Sequence, residues 1–108
     1  MIQEAKDTGP MNLVEAIQYQ DDAIVSRTII KSDAGNVTLF AFAKGQELSE
    51  HTAPFDALVH ILDGKAEIRI NQVVHAVNAG ELLIMPANEP HALKAIQPFK
   101  MLLTMIKA

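Results

Sequence analysis

From residue 23 to the C-terminus the chain is built of short, β-prone apolar runs separated by turn-forming segments. The runs cover 23–30, 36–43, 57–62, 65–70, 73–77, 81–85, 91–96 and 99–106, with Gly, Pro, Asn or Asp between most of them. None has room for a multi-turn amphipathic helix, so the core must be made of strands. Spacing of this kind predicts an all-β antiparallel sandwich or barrel. One helical signal precedes it: Asn12-Leu13-Val14-Glu15 has the spacing of a capping box and predicts one short helix over 13–17. Residues 1–11, polar and ending in Gly9-Pro10, read as an N-terminal arm, and 12–108 as a single domain.

Composition narrows the function. At 108 residues and 49% hydrophobic, the chain can bury one core and does not resemble a disordered segment. Nine basic residues against thirteen acidic ones, scattered along the chain, leave no basic face for nucleic acid. The absence of cysteine excludes a disulfide framework and thiolate metal sites. The first seven residues carry charges where a signal peptide would be apolar, and no apolar run approaches about 18 residues. The expectation is a cytoplasmic protein without a membrane partner.

The strand faces carry a further demand. Ala66, Ile68 and Ile70 alternate with Glu67 and Arg69, as in a half-buried strand. In 57–62 both faces are apolar, Ala57, Val59 and Ile61 against Leu58, His60 and Leu62. Run 36–43 repeats this, with Val37, Leu39 and Ala41 opposite Phe40 and Phe42. A small barrel with one short helix cannot cover both sides of both strands, so a second sheet layer or a second subunit is implied, and a homodimer is the expected form. His60 then belongs to packing or to an interface, and His75 to a solvated position.

Candidate chemistry lies in two glycine-anchored segments, Gly45 to Gly64 through His51, and Gly80 through Pro86 to His91. On an extended strand, residues two apart share a face about 6.5 Å apart, so a His-x-His pair converges on one ion. Here the second position is Ala53. A carboxylate across a short turn would complete a set suited to a transition metal, and that position is Ala57. Glu47 shares the parity of His51 but sits about 13 Å along a straight strand. Ser49 offers only a hydroxyl, Glu50 and Asp56 have the wrong parity, and Glu89 falls in a turn.

These segments resemble the two motifs of the cupins. The first family motif reads Gly, five residues, His, one, His, three or four, Glu, six, Gly. This chain has Gly45, five, His51, one, Ala53, three, Ala57, six, Gly64. The second reads Gly, five, Pro, one, Gly, two, His, three, Asn, and this chain has Gly80, five, Pro86, one, Asn88, two, His91, three, Ala95. The resemblance implies a jelly-roll barrel, the antiparallel double-stranded β-helix of cupins, commonly dimeric. Of its four ligand positions, His51 and His91 stand and Ala53 and Ala57 offer no donor.

Two functions follow as expectations. In the first, the lumen binds a small, largely apolar molecule beside His51, His91, Ala53 and Ala57, with no resident cofactor. In the second, the protein is a metal-dependent cupin enzyme of the dioxygenase, isomerase or decarboxylase kind. There His51 and His91 would be residual ligands to a weakly held iron, manganese, nickel or zinc. No catalytic residue is assigned in either. Met85, Met101 and Met105 read as core filler, and Gly64 as a turn between strands.

Overall fold

The computed structural model describes residues 9–108, so most of the expected arm at 1–11 lies outside the described residues. Eight strands follow one another: β1 (Ile24–Ser32), β2 (Gly35–Phe42), β3 (Glu47–His51), β4 (Phe55–Ile70), β5 (Val73–Asn78), β6 (Leu82–Met85), β7 (His91–Lys94) and β8 (Phe99–Lys107). Every pairing is antiparallel, and the strands form two walls. One wall runs β1-β2-β8-β4-β6 and the other β5-β4-β7-β3, so β4 belongs to both.

That sharing corrects the reading of 57–62 and 65–70 as separate strands. They are one 16-residue strand, and Gly64 is its bend. The register against β8 slips between Ile61 and Asp63, and Gly64 takes φ 75°. A Cβ at Gly64 would overlap the carbonyl oxygen of Pro98. The position therefore needs glycine for its backbone angle and for the close approach of the chain beneath it.

The helix expected over 13–17 does not form. The capping contact is present, with the Glu15 N–H donating to Asn12 Oδ1 at 3.1 Å, but only a turn follows, Ala16 N–H to Leu13 O at 3.3 Å. Five residues cannot repay helix nucleation, and the segment gains more by lying across the sheet. Ile17, 4% exposed, is buried there with Leu39 and Ala41, and Leu13, Tyr19, Leu62 and Leu102 pack around them. This segment covers part of the second apolar face that the sequence required to be covered.

The main core lies between the walls. Phe42, Val59, Ile61, Ile68, Leu93, Phe99 and Met101 are buried in it, with Phe42 and Phe99 stacked at 4.4 Å between ring centroids. The N-terminal segment is fastened by polar contacts at the rim of this core. Tyr19 Oη donates to Asp63 Oδ2 at 2.6 Å, beside the Gly64 bend. Lys100, buried at 6% exposure, donates from Nζ to the Val14 carbonyl at 2.6 Å and stands 5.0 Å from the Tyr19 ring centroid.

Burial, and then the Asp63 carboxylate as hydrogen-bond acceptor and neighbouring charge, push the Tyr19 hydroxyl well above its ordinary range. The raised value means that the native state favours the protonated phenol. Its contribution to stability is complete below the unfolded value near pH 10 and is lost as pH climbs toward the raised one. Tyr19→Phe is expected to lower stability by about 1–2 kcal/mol at neutral pH. Urea denaturation at increasing pH should show that deficit shrinking above pH 10.

Candidate functional site

His51 and His91 meet because β3 and β7 pair at that register, His51 opposite His91. Their rings lie edge to face, 4.3 Å between centroids, with Nε2 to Nε2 at 3.1 Å. His91 is buried, whereas His51 reaches solvent. The pair stands at the mouth of a cavity of about 170 Å³ inside the barrel, lined also by Ala53, Ala57, Phe55 and aliphatic and methionine side chains. All four positions named from the sequence thus lie on one lumen.

A bulge makes this possible. Leu48 pairs with Leu93 and His51 with His91, so three steps along β3 match two along β7. The extra residue lets Leu48 and His51, of opposite parity, both face inward. It also overturns the parity argument for Glu47, which is exposed and paired with Lys94. His75 departs from expectation too: it pairs with Ile68, on the inward-facing side, and is half-buried.

The loop that delivers His91 is tied to the loop after His51. Asn88 N–H donates to the Ala53 carbonyl at 2.8 Å, and Ala87 N–H to Asp56 Oδ1 at 2.9 Å. Asn88 has φ 65°, so the residue that replaces the motif glycine occupies the left-handed region that asparagine tolerates. Asn71 holds the loop from below, its side chain donating to Glu89 and its N–H to the Pro90 carbonyl at 3.0 Å.

Hydrogen bonding defines the imidazole faces. His51 Nδ1 lies 2.7 Å from the Ser49 carbonyl, and His91 Nδ1 lies 3.0 Å from the Glu89 carbonyl. A carbonyl only accepts, so each Nδ1 carries the hydrogen. In the neutral rings each Nε2 then carries a lone pair, and the two atoms lie 3.1 Å apart. Two lone pairs at that distance repel unless a proton, a donor or a cation lies between them. The pair is therefore a preformed acceptor for an electrophilic group.

The same geometry tests the divalent metal that the barrel type implies. Nδ1–H bonds to backbone carbonyls are the usual support of metal-bound histidines. The remaining donors do not fit. Ala53 and Ala57 supply none, and the nearby carboxylates are engaged elsewhere: Glu50 with Arg69 at 3.7 Å, Asp56 with Ala87 and Glu89 with Asn71. Among the described residues no three His, Cys, Asp or Glu side chains converge. Two neutral imidazoles without an anionic ligand are a poor set for iron, manganese, nickel or zinc.

Sequence reasoning treated the methionines as filler and missed their place in the site. Met85 and Met105 are the cross-strand partners of Ala57, one on each side, and all three line the cavity. The only signal in the sequence is that each sits at the core-facing parity of its run.

Comparison with known proteins agrees with this architecture. The cupin domain family matches residues 38–106, and the chain belongs to that family. A conserved protein of unknown function from Streptococcus pyogenes is 39% identical, with TM-score 0.89 over 94% of this chain and 89% of that one. A cupin superfamily protein from Desulfitobacterium hafniense is 29% identical, with TM-score 0.88 over 94% and 93%. A cupin 2 conserved barrel domain protein from Leptotrichia buccalis is 39% identical, with TM-score 0.87 over 90% of this chain and 47% of that one. A search of curated proteins returns no match. Among the described residues no helix is long and apolar enough to cross a membrane.

The tautomers can be checked directly. At a pH about two units above the ordinary imidazole value of 6.5, long-range proton–nitrogen NMR correlations should find both His51 and His91 with hydrogen on Nδ1. Hydrogen on Nε2 of either ring would contradict the facing lone pairs.

Proposed function

We propose that this cupin is a small-molecule binder whose lumen takes one small, largely apolar molecule and orients it by a single polar group at His51 and His91. The observation that carries the reading is the contrast within the cavity. Its wall is Leu48, Phe55, Leu93, Leu103 and methionines, and among the described residues its only titratable side chains are the two imidazoles. Ala53 and Ala57 leave open space where larger residues would stand. An apolar cavity of about 150 Å³ accepts a benzene-sized molecule, and this one is comparable in size. The facing Nε2 lone pairs favour a ligand that brings a donor, such as a phenolic or alcoholic hydroxyl. Recognition of that kind needs neither metal nor catalysis.

Phenol and toluene test this as a matched pair. Phenol is expected to bind about tenfold more tightly, the equivalent of one hydrogen bond of about 1.4 kcal/mol. Ligand-detected NMR should show the preference disappearing in His91→Ala and both ligands losing affinity in Ala57→Leu. Failure of either ligand to enter the wild-type lumen at millimolar concentration would reject the reading.

We also propose that the outer face of the β1-β2-β8-β4-β6 wall joins two copies of the chain. The register sets Ile30, Val37, Thr104, Leu58 and Ile84 in one uncharged row across all five strands. Ile30, Leu82, Ile84 and Ile106 on this face are each more than half exposed. The described part of the N-terminal segment packs on Leu39, Ala41 and Leu102, beside this row. A self-complementary apolar patch of this kind suits a two-fold homodimer, and His60, between Leu102 and Leu82, lies within it. Sedimentation over a concentration series should give a dimer for the wild type and a monomer for Leu82→Lys/Ile84→Lys. A wild-type monomer throughout would exclude the arrangement.

A further inference from the structure

We propose that the lumen binds a soft monovalent metal ion, Cu(I), through the Nε2 atoms of His51 and His91 and the thioethers of Met85 and Met105. The inference rests on the lumen reading in one respect, that both imidazoles turn their Nε2 atoms toward the cavity.

The histidine geometry comes first. Each ring is held in the Nδ1–H form by a backbone carbonyl, so both free lone pairs point toward one region. An ion at a metal–imidazole distance of about 2.05 Å from both nitrogens, given their 3.1 Å separation, subtends an angle of about 100°. That is narrower than a two-coordinate ion adopts and matches a site of three or four donors. The imidazoles are thus part of a set, and the cavity wall must supply the rest.

Among the described residues the wall contains no carboxylate, but it contains sulfur. Met85 and Met105 flank Ala57 on neighbouring strands, with Cβ atoms of directly paired residues about 5 Å apart. Met101 lines the same cavity. Methionine has three rotatable bonds, so its sulfur can swing without backbone movement. Ala57, at 4% exposure, has too small a side chain to obstruct either one.

The donor chemistry selects the ion. Thioether and imidazole together are soft to borderline ligands and favour Cu(I) over the harder divalent ions. Charge acts in the same direction. Among the described residues no anionic side chain lines the cavity, and the desolvation cost of an ion scales with the square of its charge, so a dication costs about four times as much as a monocation. The arrangement that disfavours iron, manganese, nickel or zinc therefore suits a monovalent soft ion. No redox step is involved: the ion enters as Cu(I) and stays so.

Anaerobic titration of the full chain with Cu(I) in competition with bicinchoninate tests the site. One equivalent per chain should be withdrawn from the chelator, and X-ray absorption should show both nitrogen and sulfur neighbours. Met85→Leu/Met105→Leu, which keeps the lumen apolar, should weaken binding at least tenfold, as should His51→Ala. His75→Ala, outside the cavity lining, should leave it unchanged. No withdrawal of copper, unchanged affinity in the double methionine variant, or tighter binding of Zn(II) would each overturn the proposal. Phenol binding measured on the same preparations separates the two readings. Phenol bound without copper refutes this site alone, and copper bound without phenol refutes the small-molecule reading alone.

Discussion

The bend of β4 at Gly64 is the constraint on which the remaining structure depends. A single strand passes from one wall to the other, so the walls cannot slide independently, and the residues on either side of the bend share one interior. Ala57 on the first half pairs with two methionine-bearing strands, and Ile70 on the second half pairs with His91. The bend thus brings the alanine position and the histidine position onto one cavity. A side chain at Gly64 would collide with Pro98 and disturb this arrangement at its source. The Tyr19–Asp63 contact fastens the N-terminal segment immediately beside it.

The two histidines are positioned without help from the other two motif positions. Backbone carbonyls at Ser49 and Glu89 orient the imidazoles, and backbone contacts between Asn88 and Ala53 hold the two loops together. None of these depends on the side chains at 53 and 57. Alanine there removes donors and charge while leaving the geometry of the two histidines intact. What remains is a pair of converging lone pairs in an apolar and sulfur-containing lumen, which is a different chemical environment from a carboxylate-bearing metal centre.

Much of this was legible from the chain, for identifiable reasons. The strand runs, the family motifs and the four lumen positions are local patterns of residue type and spacing; most of the runs are strands, and the four positions line one cavity. The parity of Glu47 misled, because a bulge in β3 adds one residue to the count and no residue type marks it. The short helix misled in another way: Asn12 does make its capping bond, but the apolar residues after it are worth more against Leu39 and Ala41 than in an isolated turn.

The sequence alone therefore determined the all-β antiparallel class, the cupin motifs, and the absence of donors at Ala53 and Ala57, because each is a property of residue type in a linear pattern. Only the tertiary structure decided that 57–62 and 65–70 are one bent strand, that the Nε2 atoms of His51 and His91 meet at 3.1 Å, and that Met85 and Met105 flank Ala57. Those facts depend on which strands pair and in what register. Register is set by packing across the whole barrel, so no single segment of the chain encodes it.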